Sequence, residues 1–140
     1  MDESNTSNNH ATSYDVQILS IGMFLGRTDW AREWLEARTI PRIEQQIEPD
    51  GAMPRELERT KSWNYTTGNI KHFFDLAIIA KRFGIDLFHF PSTDDPRIKT
   101  ALDFALPYVD KPEDWKYTQI KEWKPTLLRR PLIIAAENED

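Results

Sequence analysis

The run Ser7-Asn8-Asn9-His10-Ala11-Thr12 sets an amide, Asn9, beside an imidazole, His10. Further on, Glu58-Arg59-Thr60-Lys61-Ser62-Trp63-Asn64-Tyr65 brings two cations into a loop that ends on a tyrosine. These are the groups needed to remove a proton beside a carboxylate without a metal. The amide and imidazole can donate to an oxygen on which charge develops. A tyrosine can take a proton and return it if nearby cations lower its usual pKa of about 10. Neither half is specific alone. In this order they point to an enzyme or to a piece of one.

The elements that must position these residues read as helices. Residues 1–12 are polar and are expected to form a flexible leader. Tyr14 to Leu25 is mostly apolar and reads as a buried helix that Gly26 ends. Thr28 and Asp29 can cap a second helix. Its face is Ala31, Trp34 and Leu35, continued by Ile40, Ile43 and Ile47, with Pro41 expected to kink or split it. Pro49-Asp50-Gly51 is a turn signal, and residues 49–63 lack clean periodicity, as functional loops often do. Ile70, Phe73, Phe74, Ala77 and Ile78 then recur at helical spacing, with Gly84 as the stop. Asp95 and Pro96 open a further helix with the stripe Ile98, Ala101, Leu102, Ala105 and Leu106. Asp110-Lys111-Pro112 breaks it, Glu113 to Trp123 is ambiguous, and a last helix runs from about Pro125 towards Ala136. With no alternating strand of any length, the expectation is an all-α protein of antiparallel helical hairpins. Its domain spans residues 13–136 and is followed by an acidic tail at 137–140.

Composition narrows the function classes. A chain of 140 residues suits one domain, and 39% hydrophobic with 29% charged residues is a globular balance. Most of the five Trp are expected in the core, although aromatic rings also line carbohydrate grooves. A formal charge of −5 argues against nucleic acid as a partner. A polyanion would need a locally basic surface, and residues 55–72 supply Arg55, Arg59, Lys61, Lys71 and His72 against Glu56 and Glu58. The absence of cysteine excludes disulfides and thiolate metal sites. No apolar run reaches membrane-spanning length, and the polar, acidic start at Met1-Asp2-Glu3 is not a secretory signal.

The chemistry that suits the two motifs is elimination of a glycosidic bond from a uronate polymer. The proton at carbon 5 is weakly acidic because its neighbour is a charged carboxylate, which must be neutralised while the enediolate develops. A base takes the proton and an acid protonates the leaving oxygen. Asn8-Asn9-His10 with Tyr14-Asp15-Val16-Gln17, and Asp50-Gly51-Ala52-Met53-Pro54-Arg55-Glu56-Leu57-Glu58-Arg59-Thr60-Lys61-Ser62-Trp63-Asn64-Tyr65, resemble the two motifs of the alginate lyase family. Ile85-Asp86-Leu87-Phe88 and Ala101-Leu102-Asp103-Phe104-Ala105-Leu106-Pro107-Tyr108 are similar to it as well. The second motif is the most specific part. The resemblance implies an α/α toroid of helical hairpins, a substrate groove across one end, and cleavage of alginate or a related polyuronate by β-elimination. It implies Tyr65 as the proton-transfer residue and Asn9 and His10 as binders of the carboxylate, with His10 also able to serve as a base for one substrate epimer. Arg59 would assist the phenol or hold the carboxylate, and Asn8, Arg55, Lys61 and Trp63 would contact substrate. It implies an acidic polysaccharide as partner, no cofactor or metal, no nucleic acid or membrane, and a periplasmic or secreted location. Ser13 departs from the aromatic residue expected at that position. Family members are also much longer, so the chain is expected to be part of an incomplete toroid, with apolar faces left for missing N-terminal helices or a partner chain.

Two other readings fit the same residues. The chain could be an inactive helical remnant that binds carbohydrate or a partner protein, or an unrelated helical module with chance matches. Arg59 and Lys61 could be a solvated charge cluster and Tyr65 a core residue. His72 and His89 are expected to be structural or exposed, because no second ligand stands at metal spacing.

Overall fold

The computed structural model describes residues 3–138. Helix α1 (Asn9–Phe24) begins where the polar leader was expected to continue: Asn9 to Thr12 form its first turn, and Ala11 and Thr12 are buried. Gly26 closes α1 at φ 70°, with Gly26 N–H donating to Met23 O at 3.1 Å and Arg27 N–H to Gly22 O at 2.8 Å. That is the paired bonding of a Schellman cap, which needs the left-handed conformation glycine tolerates.

Helix α2 (Thr28–Trp34) passes through a π turn (Leu35–Thr39) into α3 (Ile40–Gln46). Pro41 is the cause available in the sequence, since its ring crowds the carbonyl four residues back and it has no N–H to give. The wider turn, in which Ile40 N–H reaches back to Leu35 O, lets the helix continue instead of splitting. A buried ion pair sits beneath this turn. The Asp15 carboxylate accepts from Arg42 Nε at 2.7 Å, Thr39 Oγ1 at 3.0 Å and Trp34 Nε1 at 3.0 Å. Arg42 also donates to Ser4 O and Thr6 O, which ties down the chain just ahead of Asn8.

The expected turn at Pro49-Asp50-Gly51 is present. Gly51 has φ 90°, and a Cβ there would stand 2.2 Å from Thr100 O, so both conformation and contact demand glycine. The short α4 (Pro54–Leu57) follows, and then α5 (Ser62–Lys81). Helix α5 packs against α1 and α4 and also against α6 (Arg97–Ala105) and α7 (Arg129–Glu137). It is therefore buried over most of its circumference, and of the expected stripe Ile70, Phe73, Phe74 and Ala77 lie in the core while Ile78 is half-buried against it. Phe74 and Leu102 are both buried, as expected if α5 and α6 pack on each other. The two-residue strands β1 (Pro91–Ser92) and β2 (Asp95–Pro96) pair as a small hairpin, so α6 starts at Arg97, one residue later than an Asp95 cap would set it. The Asp95 carboxylate binds the Arg97 side chain instead of capping the helix. The fold is all-α apart from this hairpin.

Of the ambiguous stretch Glu113 to Trp123, the first two residues end a 3-10 turn (Pro112–Asp114), and the chain from Trp115 to Lys124 runs extended beside the start of α5. Ser62 N–H donates to Thr118 O at 3.1 Å and Ile120 N–H to Thr60 O at 3.0 Å. Trp115 and Trp123 pack on Trp63, the latter stacked at 3.9 Å between ring centroids. Of the acidic tail, Glu137 ends α7 and Asn138 Nδ2 donates to Ile134 O at 2.8 Å. Residues 139–140, and residues 1–2 of the leader, lie outside the described residues. At the other end of α1, Ile21, Phe24 and Leu25 are 55%, 89% and 62% exposed. The segment Tyr14–Leu25, read as a buried helix, is therefore buried only in part, and its C-terminal end presents an apolar surface. No helix among the described residues is long and apolar enough to cross a membrane.

Candidate active site

The first turn of α1 carries half of the site. Asn8, expected to contact substrate, is the N-cap, and its Oδ1 accepts His10 N–H at 3.1 Å. The first N–H groups of a helix have no helical acceptor. The Asn9 N–H finds one in Glu56 Oε1 at 2.7 Å, across 47 residues of sequence.

Arg59 joins this turn to the second motif. Its Nη1 donates to Asn9 Oδ1 at 2.7 Å and to Glu56 Oε2 at 3.2 Å. Its guanidinium carbon lies 3.2 Å from the centroid of the Tyr65 ring, in direct contact with that face. One cation therefore touches the amide, a carboxylate and the phenol ring. A guanidinium can only donate, so Asn9 must turn its oxygen towards Arg59. The Asn9 Nδ2 group then points elsewhere, and it makes no hydrogen bond among the described residues. Tyr65 is half-buried, and its phenol oxygen has no hydrogen-bond partner among them either. His10 is exposed, beside Asn9 and near enough to Glu56 for its charge to act there.

Glu56 is the member that the sequence did not single out. It is 1% exposed. Burial raises its pKa above the usual 4.5, against the hydrogen bond from Asn9 N–H, the hydrogen bond and charge of Arg59, and the charge of His10. The available signal was the spacing of Glu56 and Arg59, three residues apart, at which acid and base can meet on one helical turn. That spacing does not distinguish the buried Glu56 from the exposed Glu58.

Tyr65 is set by the start of α5, whose N-terminus has no cap of its own. Gln119 supplies one from the extended segment, its Oε1 accepting Trp63 N–H at 3.0 Å. Tyr65 N–H donates to Lys61 O at 3.0 Å, which places the phenol one turn beyond the lysine. Lys61 is half-buried and faces a pocket with Asn64, Lys121 and Lys124. Arg55 is exposed and makes no hydrogen bond or ion pair among the described residues. Trp63 is fully buried, with its Nε1 donating to Lys124 O at 3.2 Å, and so offers no ring face to a sugar. Asn9, Arg59 and Tyr65 are thus in contact, His10 adjoins them, and Trp63 is part of the core.

No group of His, Asp and Glu among the described residues could hold a metal ion. His72 is half-buried, and burial and then the charge of Lys71 lower its pKa below 6.5 against Asp75. His89 Nδ1 pairs with Asp86 Oδ2 at 2.6 Å.

The described residues form an all-α fold with one small hairpin, and comparison with known proteins identifies the family. The family model described as alginate lyase matches residues 1–115, and the chain belongs to that family. Among solved structures, an alginate lyase from Bacteroides ovatus is 37% identical and superposes with a TM-score of 0.85. That likeness covers 97% of this chain and 38% of the other, so the chain spans well under half of that protein's length. No curated protein matches the chain.

Proposed function

We propose that this chain carries the proton-transfer centre of a polysaccharide lyase that cleaves alginate or a related polyuronate by β-elimination, and that its helices are part of an α/α toroid. The observation that carries the reading is the single guanidinium of Arg59 set against both the Tyr65 ring and the Asn9 amide. The free Nδ2 of Asn9 and the exposed His10 ring donate to the substrate carboxylate. Tyr65, as phenolate, takes the proton from carbon 5. The electron pair moves into the carboxylate, whose added charge the two donors stabilise. It then returns to form the carbon 4–carbon 5 double bond as the carbon 4–oxygen bond breaks. The phenol gives its proton to the leaving oxygen, which restores the phenolate. Arg59 against the ring offsets the negative charge on Tyr65 at the start and end of this cycle. Glu56 orients Arg59 and Asn9 and balances the half-buried cation.

The test is to incubate the chain, alone and within a longer chain that carries it, with polyuronate and follow the ultraviolet absorbance of the unsaturated product. Product formation is expected from at least one of the two. Polymer binding with no product from either would overturn the enzymatic reading and leave an inactive carbohydrate-binding module.

A further inference from the structure

We infer that the pocket of Lys61, Asn64, Lys121, Glu122 and Lys124 is a second carboxylate site, which holds the uronate next to the one that reacts. This rests on the reading of Tyr65 as the proton-transfer residue of a polyuronate lyase. The pocket has a volume of about 410 Å³. Three lysines and one glutamate line it, a local positive excess in a chain of formal charge −5. None of the three ammonium groups makes an ion pair or hydrogen bond among the described residues. By contrast, a larger concavity of about 660 Å³ between Glu48 and Tyr117 is lined by Glu48, Asp50 and Glu58 and by no cation, which disfavours a polyanion.

The polar lining of the pocket is fixed by a relay. Trp63 N–H requires an acceptor, so Gln119 presents its Oε1 there, and its Nε2 must donate elsewhere. It donates to Asn64 Oδ1. The Asn64 Nδ2 group is thereby turned away from Gln119, and it has no partner among the described residues. The cap of α5 thus presets one neutral donor among three unpaired cations. The position also suits a polymer. Tyr65 lies one helical turn beyond Lys61, about 6 Å along the axis. A sugar whose carbon 5 reaches Tyr65 has its chain neighbour close to the pocket. An ammonium holds a carboxylate as a point charge without strict geometry, which suits a neighbour that must move on after each cleavage.

The test uses the full chain carrying Tyr65→Phe, so that substrate is not consumed, and titrates it calorimetrically with a uronate tetramer and with a single uronic acid. Adding Lys121→Glu and Lys124→Glu should weaken tetramer binding on the order of tenfold and flatten its salt dependence. Affinity for the single sugar should fall much less, because one sugar cannot bridge the two sites and can still bind at Tyr65. The same tetramer affinity with and without the lysine substitutions would overturn the proposal. So would equal weakening for tetramer and single sugar, which would show a general field effect. The chain without Tyr65→Phe is assayed for elimination in parallel. If it eliminates while the lysine substitutions leave tetramer binding alone, only the second site fails. If it neither eliminates nor binds polyuronate, the lyase reading fails and takes this site with it.

Discussion

Arg59 is the residue on which the candidate site converges, and its replacement should be correspondingly costly. Arg59→Met keeps most of the side chain's bulk but removes the charge over Tyr65 and the donor to Asn9. Elimination by an active form should fall on the order of 100-fold, with a similar loss for Asn9→Ala and His10→Ala, each of which removes a donor to the developing charge. Initial rates of unsaturated product check this, and variants that keep most of the rate would contradict it. His72→Ala should be near neutral for the chemistry, but His72 should matter for stability. Its folded pKa is depressed below 6.5, so the unfolded chain binds the extra proton first. The stability this group contributes is present above about pH 6.5 and is lost as pH falls through its folded pKa. Urea midpoints should therefore drop between about pH 7.5 and 5.5, and drop less in His72→Gln. Equal slopes in the two proteins would contradict this. Glu56 has the opposite sign. Its raised pKa makes its contribution fullest below 4.5 and weaker as pH rises through the folded value.

Among the elements, α5 was legible because apolar residues at helical spacing need only local information, and its core stripe is where that spacing puts it. The start of α1 was not legible. Asn9 to Thr12 are polar, and their burial depends on partners far away in sequence: Glu56 for Asn9 N–H and Gln46 for Thr12 Oγ1. Likewise, nothing periodic marks residues 115–124, which are held by Trp63 and by their pairing with residues 60–62. The chemical residues could be picked out because their side-chain types are unusual in combination. Glu56 could not, because charge type says nothing about which of two nearby glutamates is buried. Two glycines give an element-scale test. Gly68 lies mid-helix in α5, and a Cβ there would meet nothing within 4 Å. Gly68→Ala should stabilise the protein by about 1 kcal/mol through helix propensity. Gly51→Ala should destabilise it, since the added Cβ meets Thr100 O at 2.2 Å in a strained backbone conformation. Chemical denaturation of both variants checks the signs. The same sign for both would contradict this reading of α5 and of the turn.

At the scale of the whole molecule, the exposed Ile21, Phe24 and Leu25 form an apolar end on α1 that the described residues do not cover. Phe24→Lys with Leu25→Ser should reduce self-association and binding of hydrophobic dyes in the isolated chain while changing its unfolding midpoint little. A large loss of stability would mean that this end is part of the core. The central claim is that the phenol oxygen of Tyr65 moves the proton, while the groove and the Tyr65 ring hold the polymer. Tyr65→Phe removes that one atom and leaves the ring under Arg59. The deciding measurement is the rate of unsaturated product formation on polyuronate by Tyr65→Phe, taken with its affinity for the polymer. Elimination should be abolished with affinity nearly intact, so that the loss falls on kcat and not on KM. A Tyr65→Phe protein that keeps most of its rate would show that the tyrosine is structural and that proton transfer belongs to another group.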